Sequence, residues 1–193
     1  QGVTFSNGRT LAPSDIVGSI DHHRGEDSKS SAKPIVAAIT DIGADGDTVI
    51  ITLDAANADF PYLLADYHLV IGPADDGRVD WDKRIGTGGY TVTEYMVGTH
   101  MLLTRRADYW KSGAAWFDEV EIIGIDDIAA RTNAVLTGEV DVITDADIST
   151  VGRLVDRPDV IVDEVTGTQH FTMPMFTDVA PFDNLDVRLA LKY

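Results

Sequence analysis

Cysteine is absent from this sequence of 193 residues. Its absence excludes disulfide bonds, thiolate metal sites and a cysteine nucleophile. A chain without thiols suits an oxidising compartment of the cell envelope. Any binding or catalytic site must therefore be built from other residue types.

Basic residues are few. Lys and Arg number 15 against 32 Asp and Glu, which gives a formal net charge of −17. A surface of this sign repels phosphate backbones, and no basic stripe offsets it, so the composition argues against nucleic acid as a partner. We interpret the acidity as a contribution to solubility, or as adaptation to a salty medium, rather than as a site for one basic ligand.

Long apolar segments are also missing. No run of about 18 apolar residues occurs, so the sequence predicts no membrane-spanning helix. Gln1 is not followed by a basic segment and an apolar stretch, so no signal peptide is recognised. We expect either that a signal peptide was removed or that this sequence starts downstream of the N-terminus of a longer protein.

Motifs for catalysis and metal binding are weak. The histidines form no H-E-x-x-H, and on a helix the adjacent His22 and His23 would point about 100° apart, away from a shared ligand. Residues 30–33 have the S-x-x-K spacing of penicillin-recognising acyl-enzymes, but the S-D-N and K-T-G elements are missing. The glycines at 86–89 precede a strand rather than a helix and indicate a turn rather than a phosphate cradle. We therefore predict no enzyme, no metal and no other cofactor.

Hydrophobic periodicity predicts an α/β chain. In the first half it predicts a helix from Pro13 to about His23, a hairpin with arms at 35–42 and 48–53, and a strand at 67–71. The polar segment 73–83 is the candidate domain boundary.

The second half alternates strands and helices, which is typical of an α/β layer with a mixed, partly parallel sheet. In particular, strands at 120–125 and 140–143 are predicted to be parallel neighbours, joined by a helix capped at Asp126 and ended by Gly138. The remaining predicted elements are strands at 90–96, 100–105, 160–165 and 170–176, and helices at 148–155 and from Asn184 onward.

Several segments, read in order, match one known family. They are V-T-F-S-N-G with P-S-D-I-V at 3–17, G-T-G-G-Y at 86–90, D-Y-W at 108–110, the D-x-x-x-x-R and G-E-V-D elements within 126–141, and P-F-D-N-L-D-V-R-L-A-L at 181–191. Together they resemble the family 5 extracellular solute-binding proteins, the peptide- and nickel-binding proteins of ABC importers. Three places depart from the family pattern, and one of them is Met175-Phe176-Thr177, which stands where the family often has a polar strand end with Asn. Ala12 stands where Thr or Ser normally caps the helix, and Gly89 replaces a proline.

The resemblance implies a fold and a role. It implies a first-lobe fragment of a class II periplasmic-binding-protein fold, a mixed sheet with helices plus part of an inserted α+β subdomain. Residues 1–74 would belong to the inserted subdomain and 75–193 to the α/β core of lobe I, with lobe II absent. The protein would be a periplasmic or otherwise extracytoplasmic monomer that captures a small solute, a di- or oligopeptide, and delivers it to ABC permease subunits in the membrane.

By the same resemblance, one wall of the ligand cleft is lined by the loop after the first helix and by two strands. The corresponding residues are Ser28, Lys29, Ser31, Tyr67, Leu69, Phe171, Met173 and Met175. Core packing is an equally good explanation of Phe171 and the methionines, and a merely solvated loop is the alternative for Ser28, Lys29 and Ser31.

Two other functions stay open from the residues alone. One is an envelope peptide hydrolase, and the other is a chaperone module that binds extended peptides. The solute itself is also open, because the family covers peptides, nickel chelates, opines and some sugars.

Overall fold

The structure is a computed structural model that describes residues 2–165 and 173–192. The chain divides into two compact units, Gln1–Asp126 and Asp127–Tyr193. The boundary predicted at residues 74 and 75 concerns subdomains of the family fold, and it stays a prediction.

The first unit combines short helices with antiparallel strands. Its elements are α1 (Pro13–Asp21), α2 (Lys33–Val36), β1 (Ile39–Asp45), β2 (Thr48–Leu53), α3 (Phe60–Leu63), β3 (Ala74–Asp75), β4 (Arg78–Val79), a 3-10 turn (Trp81–Lys83), β5 (Tyr90–Met96), β6 (His100–Arg105) and β7 (Glu119–Ile123). The strands form two hairpins, β1–β2 and β3–β4, and a three-stranded sheet in the order β5–β6–β7. The predicted strands 90–96 and 100–105 are confirmed as β5 and β6.

The core of the first unit lies between α1 and the β1–β2 hairpin. Its buried side chains are Ile20, Ala32, Val36, Ile39, Ile42, Phe60 and Leu69. Burial of one large aliphatic or aromatic side chain of this kind contributes about 1.5–3 kcal/mol to folding. Helix α1 supplies Ile20 because its apolar positions recur at helical spacing, with Ile16 and Val17 packed against the same cluster.

Two predicted elements of this unit are corrected. Ile35 lies in α2 rather than in the hairpin, because Pro34 at the start of a helical turn favours helix over strand there. Residues 67–71 form no strand: the chain turns at Tyr67 and His68 after α3. The alternation that predicted a strand there comes from a turn that directs neighbouring side chains to different environments.

The N-terminus of α1 is held by Asp15, whose side chain is fully buried. Ala12 has no side-chain cap, but Asp15 Oδ2 accepts the Ala12 N–H at 2.8 Å. Asp15 Oδ1 accepts the Ala74 N–H at 2.7 Å and also pairs with the Arg9 guanidinium. One carboxylate therefore replaces the missing cap and joins α1 to the β3–β4 hairpin.

We expect Asp15→Asn to lower the free energy of unfolding of the first unit by about 2–3 kcal/mol. The amide group would face a backbone N–H or Arg9 with a donor, leaving buried donors without an acceptor. Urea unfolding followed by tryptophan fluorescence measures this, because Trp81, Trp110 and Trp116 all lie in the first unit.

The matched control is Asp75→Asn. Asp75 Oδ1 also accepts from Arg9, at 2.9 Å, but its side chain is mostly exposed. Removal of this surface partner should cost less than about 1 kcal/mol. Equal losses for the two variants would contradict the buried role of Asp15.

The second unit consists, in its described residues, of the helices α4 (Ile128–Thr137), α5 (Ile148–Val155) and α6 (Leu185–Lys192). The α5 prediction is confirmed. The cap of α4 is Asp127 rather than Asp126, since Asp127 Oδ1 accepts the Ala130 N–H at 2.7 Å. Gly138 ends α4 as predicted, with a φ of 73° that glycine adopts without strain.

The predicted parallel strand pair is wrong. Segment 120–125 overlaps β7, which pairs antiparallel with β6, whereas 140–143 forms no strand. Segments 160–165 and 173–176 are also outside any strand, and the rest of the predicted strand 170–176 lies outside the described residues. A strand needs a neighbouring backbone as its hydrogen-bond partner. Val142 is 80% exposed, so the apolar side chain that favoured a buried strand here is not buried.

Candidate ligand-binding site

The loop after α1 carries three of the predicted wall residues. Ser28 is half-buried, and its hydroxyl donates to the His22 carbonyl at 3.2 Å. Lys29 and Ser31 are exposed. The loop therefore presents one ammonium group and one hydroxyl to solvent, while Ser28 fixes its conformation.

The same loop is fastened to a buried histidine. His23 is 5% exposed, and its Nδ1 lies 2.6 Å from the Ser30 hydroxyl oxygen. That oxygen also accepts the N–H of Ala32 at 3.1 Å. The other ring nitrogen, Nε2, is buried and has no hydrogen-bond partner among the described residues. His23 thus connects the end of α1 to the loop through a single hydroxyl.

The turn at residues 66–69 carries the next two predicted residues. The Asp66 carboxylate accepts from the His68 ring at 2.8 Å and from the His68 N–H at 2.9 Å. The Tyr67 ring lies 3.9 Å from the His68 ring, centroid to centroid, and is 81% exposed. Leu69 is only 8% exposed and packs in the core.

Leu69 therefore corrects one part of the predicted wall. Tyr67 and Leu69 were expected on one strand face, but the turn sends Tyr67 to solvent and Leu69 to the interior. Tyr67 remains available to a ligand, whereas Leu69 supports the turn from below.

Electrostatic coupling joins the loop and the turn at His23. Burial lowers the pKa of His23, because the charged imidazolium is poorly solvated there, and the charges of His22 and His68 lower it further. Asp66 acts in the opposite direction on the same ring. Hydrogen bonds from His68 lower the pKa of Asp66 in turn. The structure thus brings the loop and the turn, which are distant in sequence, to one polar cluster around His23. This cluster consists of His22, His23, Ser30, Asp66 and His68.

This polar cluster was missed from the sequence. The expectation that His22 and His23 diverge assumed that both lie on a helix, but α1 ends at Asp21. Their rings are in edge-to-face contact at 5.1 Å, and the His22 ring also contacts Trp81 at 5.5 Å. The signal that could have been used is the D-x-H spacing of Asp66 and His68, which favours a local carboxylate–imidazole pair.

The second unit carries the remaining predicted residues. Met173 is exposed and Met175 is half-buried, and neither lies in a strand. The alternating strand face predicted for them is therefore absent from residues 173–176. Phe171 lies outside the described residues.

The described residues contain neither a metal-binding cluster nor a membrane-spanning helix. Within 2–165 and 173–192, no group of three or more His, Asp or Glu side chains is arranged to hold a metal ion. In the same ranges, none of the helices has the length and apolar character needed to cross a membrane.

Comparison with known proteins defines the class. The chain matches the model described as "Bacterial extracellular solute-binding proteins, family 5 Middle" over residues 1–193. The protein is therefore of the extracellular solute-binding class. Within that class, the chain belongs to family 5, and its mixed α/β structure is a fragment of that family's fold.

Individual relatives agree with this assignment. The chain is 26% identical over 158 residues to heme-binding protein A of Haemophilus influenzae. It superposes with a TM-score of 0.77 and 25% identity on MoaA from A. tumefaciens R10, which was solved in complex with mannopinic acid. A dipeptide-binding protein from Pseudoalteromonas sp. SM9913, solved in complex with Met-Leu, gives a TM-score of 0.78 at 21% identity and supports the fold.

The chain is shorter than each of these relatives. It matches 77% of its own length to 29% of heme-binding protein A. The alignment with MoaA covers 98% of this chain and 40% of that protein. For the dipeptide-binding protein the shares are 99% and 43%.

Proposed function

We propose that the protein containing this chain is the solute-binding component of an ABC importer, and that it captures a di- or oligopeptide and passes it to the membrane permease. The match to the family model over the whole chain carries this proposal. The protein would act outside the cytoplasm as a monomer, by enclosing its solute without making or breaking a bond.

The proposed wall on the first unit consists of Ser28, Lys29, Ser31 and Tyr67. Lys29 and Ser31 are exposed and offer donors to a carboxylate or a peptide carbonyl. The exposed Tyr67 ring offers an apolar face held at a fixed angle by His68. A cation, hydroxyl groups and an aromatic ring suit a short peptide with a free C-terminal carboxylate.

The second unit supplies the other proposed wall residues, Met173 and Met175, together with Phe171 outside the described range. Methionine adapts its shape to varied apolar side chains, which suits a site for peptides of different sequence. Several apolar side chains of this unit are exposed, and they include Val142, Ile148 and Ile161. Exposed apolar side chains of this kind favour the proposal that other parts of a longer protein cover this surface.

Titration calorimetry on the full-length protein tests the proposal. We expect a panel of dipeptides and tripeptides to bind with micromolar affinity and to be recovered intact after incubation. Lys29→Met should weaken peptide binding about tenfold, which corresponds to about 1.4 kcal/mol, because the carboxylate loses its cationic partner. Lys111→Met removes another exposed lysine, outside the proposed wall, and should leave the affinity unchanged.

Two results would contradict the proposal. Recovery of cleaved peptides with turnover would indicate a hydrolase. Tight binding of mannopinic acid with no binding of any peptide would keep the solute-binding role but replace the substrate class.

A further inference from the structure

The polar cluster around His23 buries the His23 ring, and packing alone does not require a histidine at this position. An apolar residue would fill the space beneath the loop without the cost of burying a polar ring nitrogen, since Nε2 has no partner among the described residues. The ring is nevertheless seated with one short contact, 2.6 Å from Nδ1 to the Ser30 hydroxyl oxygen. An imidazole in this position can change its charge, which an apolar residue cannot.

We propose that His23 is a positioning residue for the ligand wall: its neutral ring fastens the loop at residues 24–31, and its protonation releases that loop. The part of this proposal that concerns ligand rests on the proposed function. The fastening itself rests on the contacts of His23 within the first unit.

The geometry explains why protonation would open the loop. The His22 ring lies 5.1 Å from His23, edge to face, and His68 acts on His23 from the turn at residues 66–69. A positive charge on His22 or on His68 would repel the imidazolium of His23. Among the described residues, Asp66 is the acidic group that acts on His23, and its carboxylate already accepts two hydrogen bonds from His68. The charge on His23 would thus be poorly compensated unless the ring moves into water.

The direction of the pH effect follows from the lowered pKa of the buried ring. In the open loop, His23 is hydrated and has the ordinary pKa of about 6.5. Above that pH both states are neutral, and the fastening is complete. As the pH falls below about 6.5, the open loop takes up a proton that the closed loop does not. Opening should then become about tenfold easier for each pH unit, until the pH reaches the lowered pKa of the closed loop.

Hydrogen exchange of the Ala32 amide provides the measurement. This N–H donates to the same Ser30 hydroxyl that contacts His23, and Ala32 is fully buried. Its protection factor, corrected for the intrinsic pH dependence of exchange, is expected to fall between about pH 7 and pH 5, because burial lowers the pKa of His23 in the closed loop. The amides of β1 and β2 should keep their protection over the same range, which shows that the unit stays folded.

Three variants separate the switch from simple packing. His23→Asn places an amide near the position of Nδ1 and cannot take up a proton, so protection should persist at both pH values. His23→Leu removes the hydrogen bond, so protection should be low at both. His22→Asn removes the neighbouring, exposed histidine and should retain the pH response, because the titrating ring beneath the loop is still present.

The outcomes decide the proposal without any solute. A wild-type Ala32 amide that is equally protected at both pH values would overturn it, and so would an equal loss in His23→Asn. Peptide titration of the full-length protein then tests the ligand wall. We expect weaker binding at about pH 5 in the wild type but not in His23→Asn. If the loop opens at about pH 5 and the affinity for peptide is unchanged, the loop is not part of the ligand wall. If no peptide binds at any pH, the proposed function fails while the exchange result stands.

Discussion

Replacement of Arg106 with methionine is expected to lower the free energy of unfolding of the first unit by about 3–5 kcal/mol. The Arg106 side chain is almost completely buried at the end of β6. Loss of that much from a marginally stable unit would leave a substantial fraction unfolded at physiological temperature.

The size of this effect follows from the number of acceptors that depend on one guanidinium. Its Nη1 donates to the carbonyls of Thr4 and Gly88, each at 3.1 Å. Its Nη2 donates to the Thr4 hydroxyl and to the Phe5 carbonyl, each at 2.9 Å. Asp108 accepts from Nε at 3.1 Å, and this hydrogen bond from Arg106 lowers the pKa of Asp108. Methionine would fill much of the volume but leave these acceptors without a donor.

Urea unfolding with tryptophan fluorescence measures the loss. The matched control is Arg105→Met, one residue earlier, because Arg105 is exposed and, among the described residues, its guanidinium pairs with Asp118 at the surface. That variant should lose less than about 1 kcal/mol. Arg106→Lys should fall between the two, since an ammonium keeps the charge but cannot reproduce the planar set of donors. Equal losses of stability at positions 105 and 106 would contradict this role of the buried Arg106 guanidinium.

The contacts of Arg106 also involve residues of the family motifs that were recognised in the sequence. In the D-Y-W segment, Asp108 pairs with Arg106, and the Trp110 indole N–H donates to the Thr87 carbonyl at 3.0 Å. Gly89, which replaces the proline of the family pattern, lies where there is little room for a side chain. A Cβ at this position would lie 3.0 Å from the Tyr109 ring and closer still to Ala115.

Local signals predicted local structure well. The strands β5 and β6 follow from β-branched and aromatic runs separated by a glycine turn, and α5 follows from an Asp cap and an amphipathic run. Pairing between distant segments was predicted poorly. The apolar run at 140–143 has strand propensity, but propensity does not supply a neighbouring strand, and none of the described residues pairs with it.

In the candidate site as well, some features could be predicted from the sequence and others could not. The exposure of Lys29, Ser31 and Tyr67 agrees with a wall that contacts solvent. The burial of Leu69 was misjudged because period-two reasoning was applied to a turn. Spacing could have predicted the Asp66–His68 pair of the polar cluster around His23, but not the rest of that cluster, since it depends on where α1 ends and on how the turn at 66–69 packs against the loop.

The 193-residue chain by itself is expected to bind the solute about a thousandfold more weakly than the full-length protein. The chain corresponds to between 29% and 43% of the length of the three relatives described above. A ligand cleft draws its affinity from surface buried on all sides and from convergent polar groups. A wall made of Ser28, Lys29, Ser31 and Tyr67 offers contacts from one side, and water keeps access to the other.

The magnitude can be estimated from a micromolar solute, whose binding free energy is about 8 kcal/mol. Loss of about half of the contacts would remove about 4 kcal/mol and leave an affinity near millimolar. Calorimetric titration of the chain and of the full-length protein with the same peptide measures the ratio, and a hydrogen-exchange map of the chain confirms that the first unit is folded during the titration. Equal affinities would mean that the whole site lies within these 193 residues. In that case the cluster around His23, rather than a cleft between two lobes, would be the place to search for the remaining contacts.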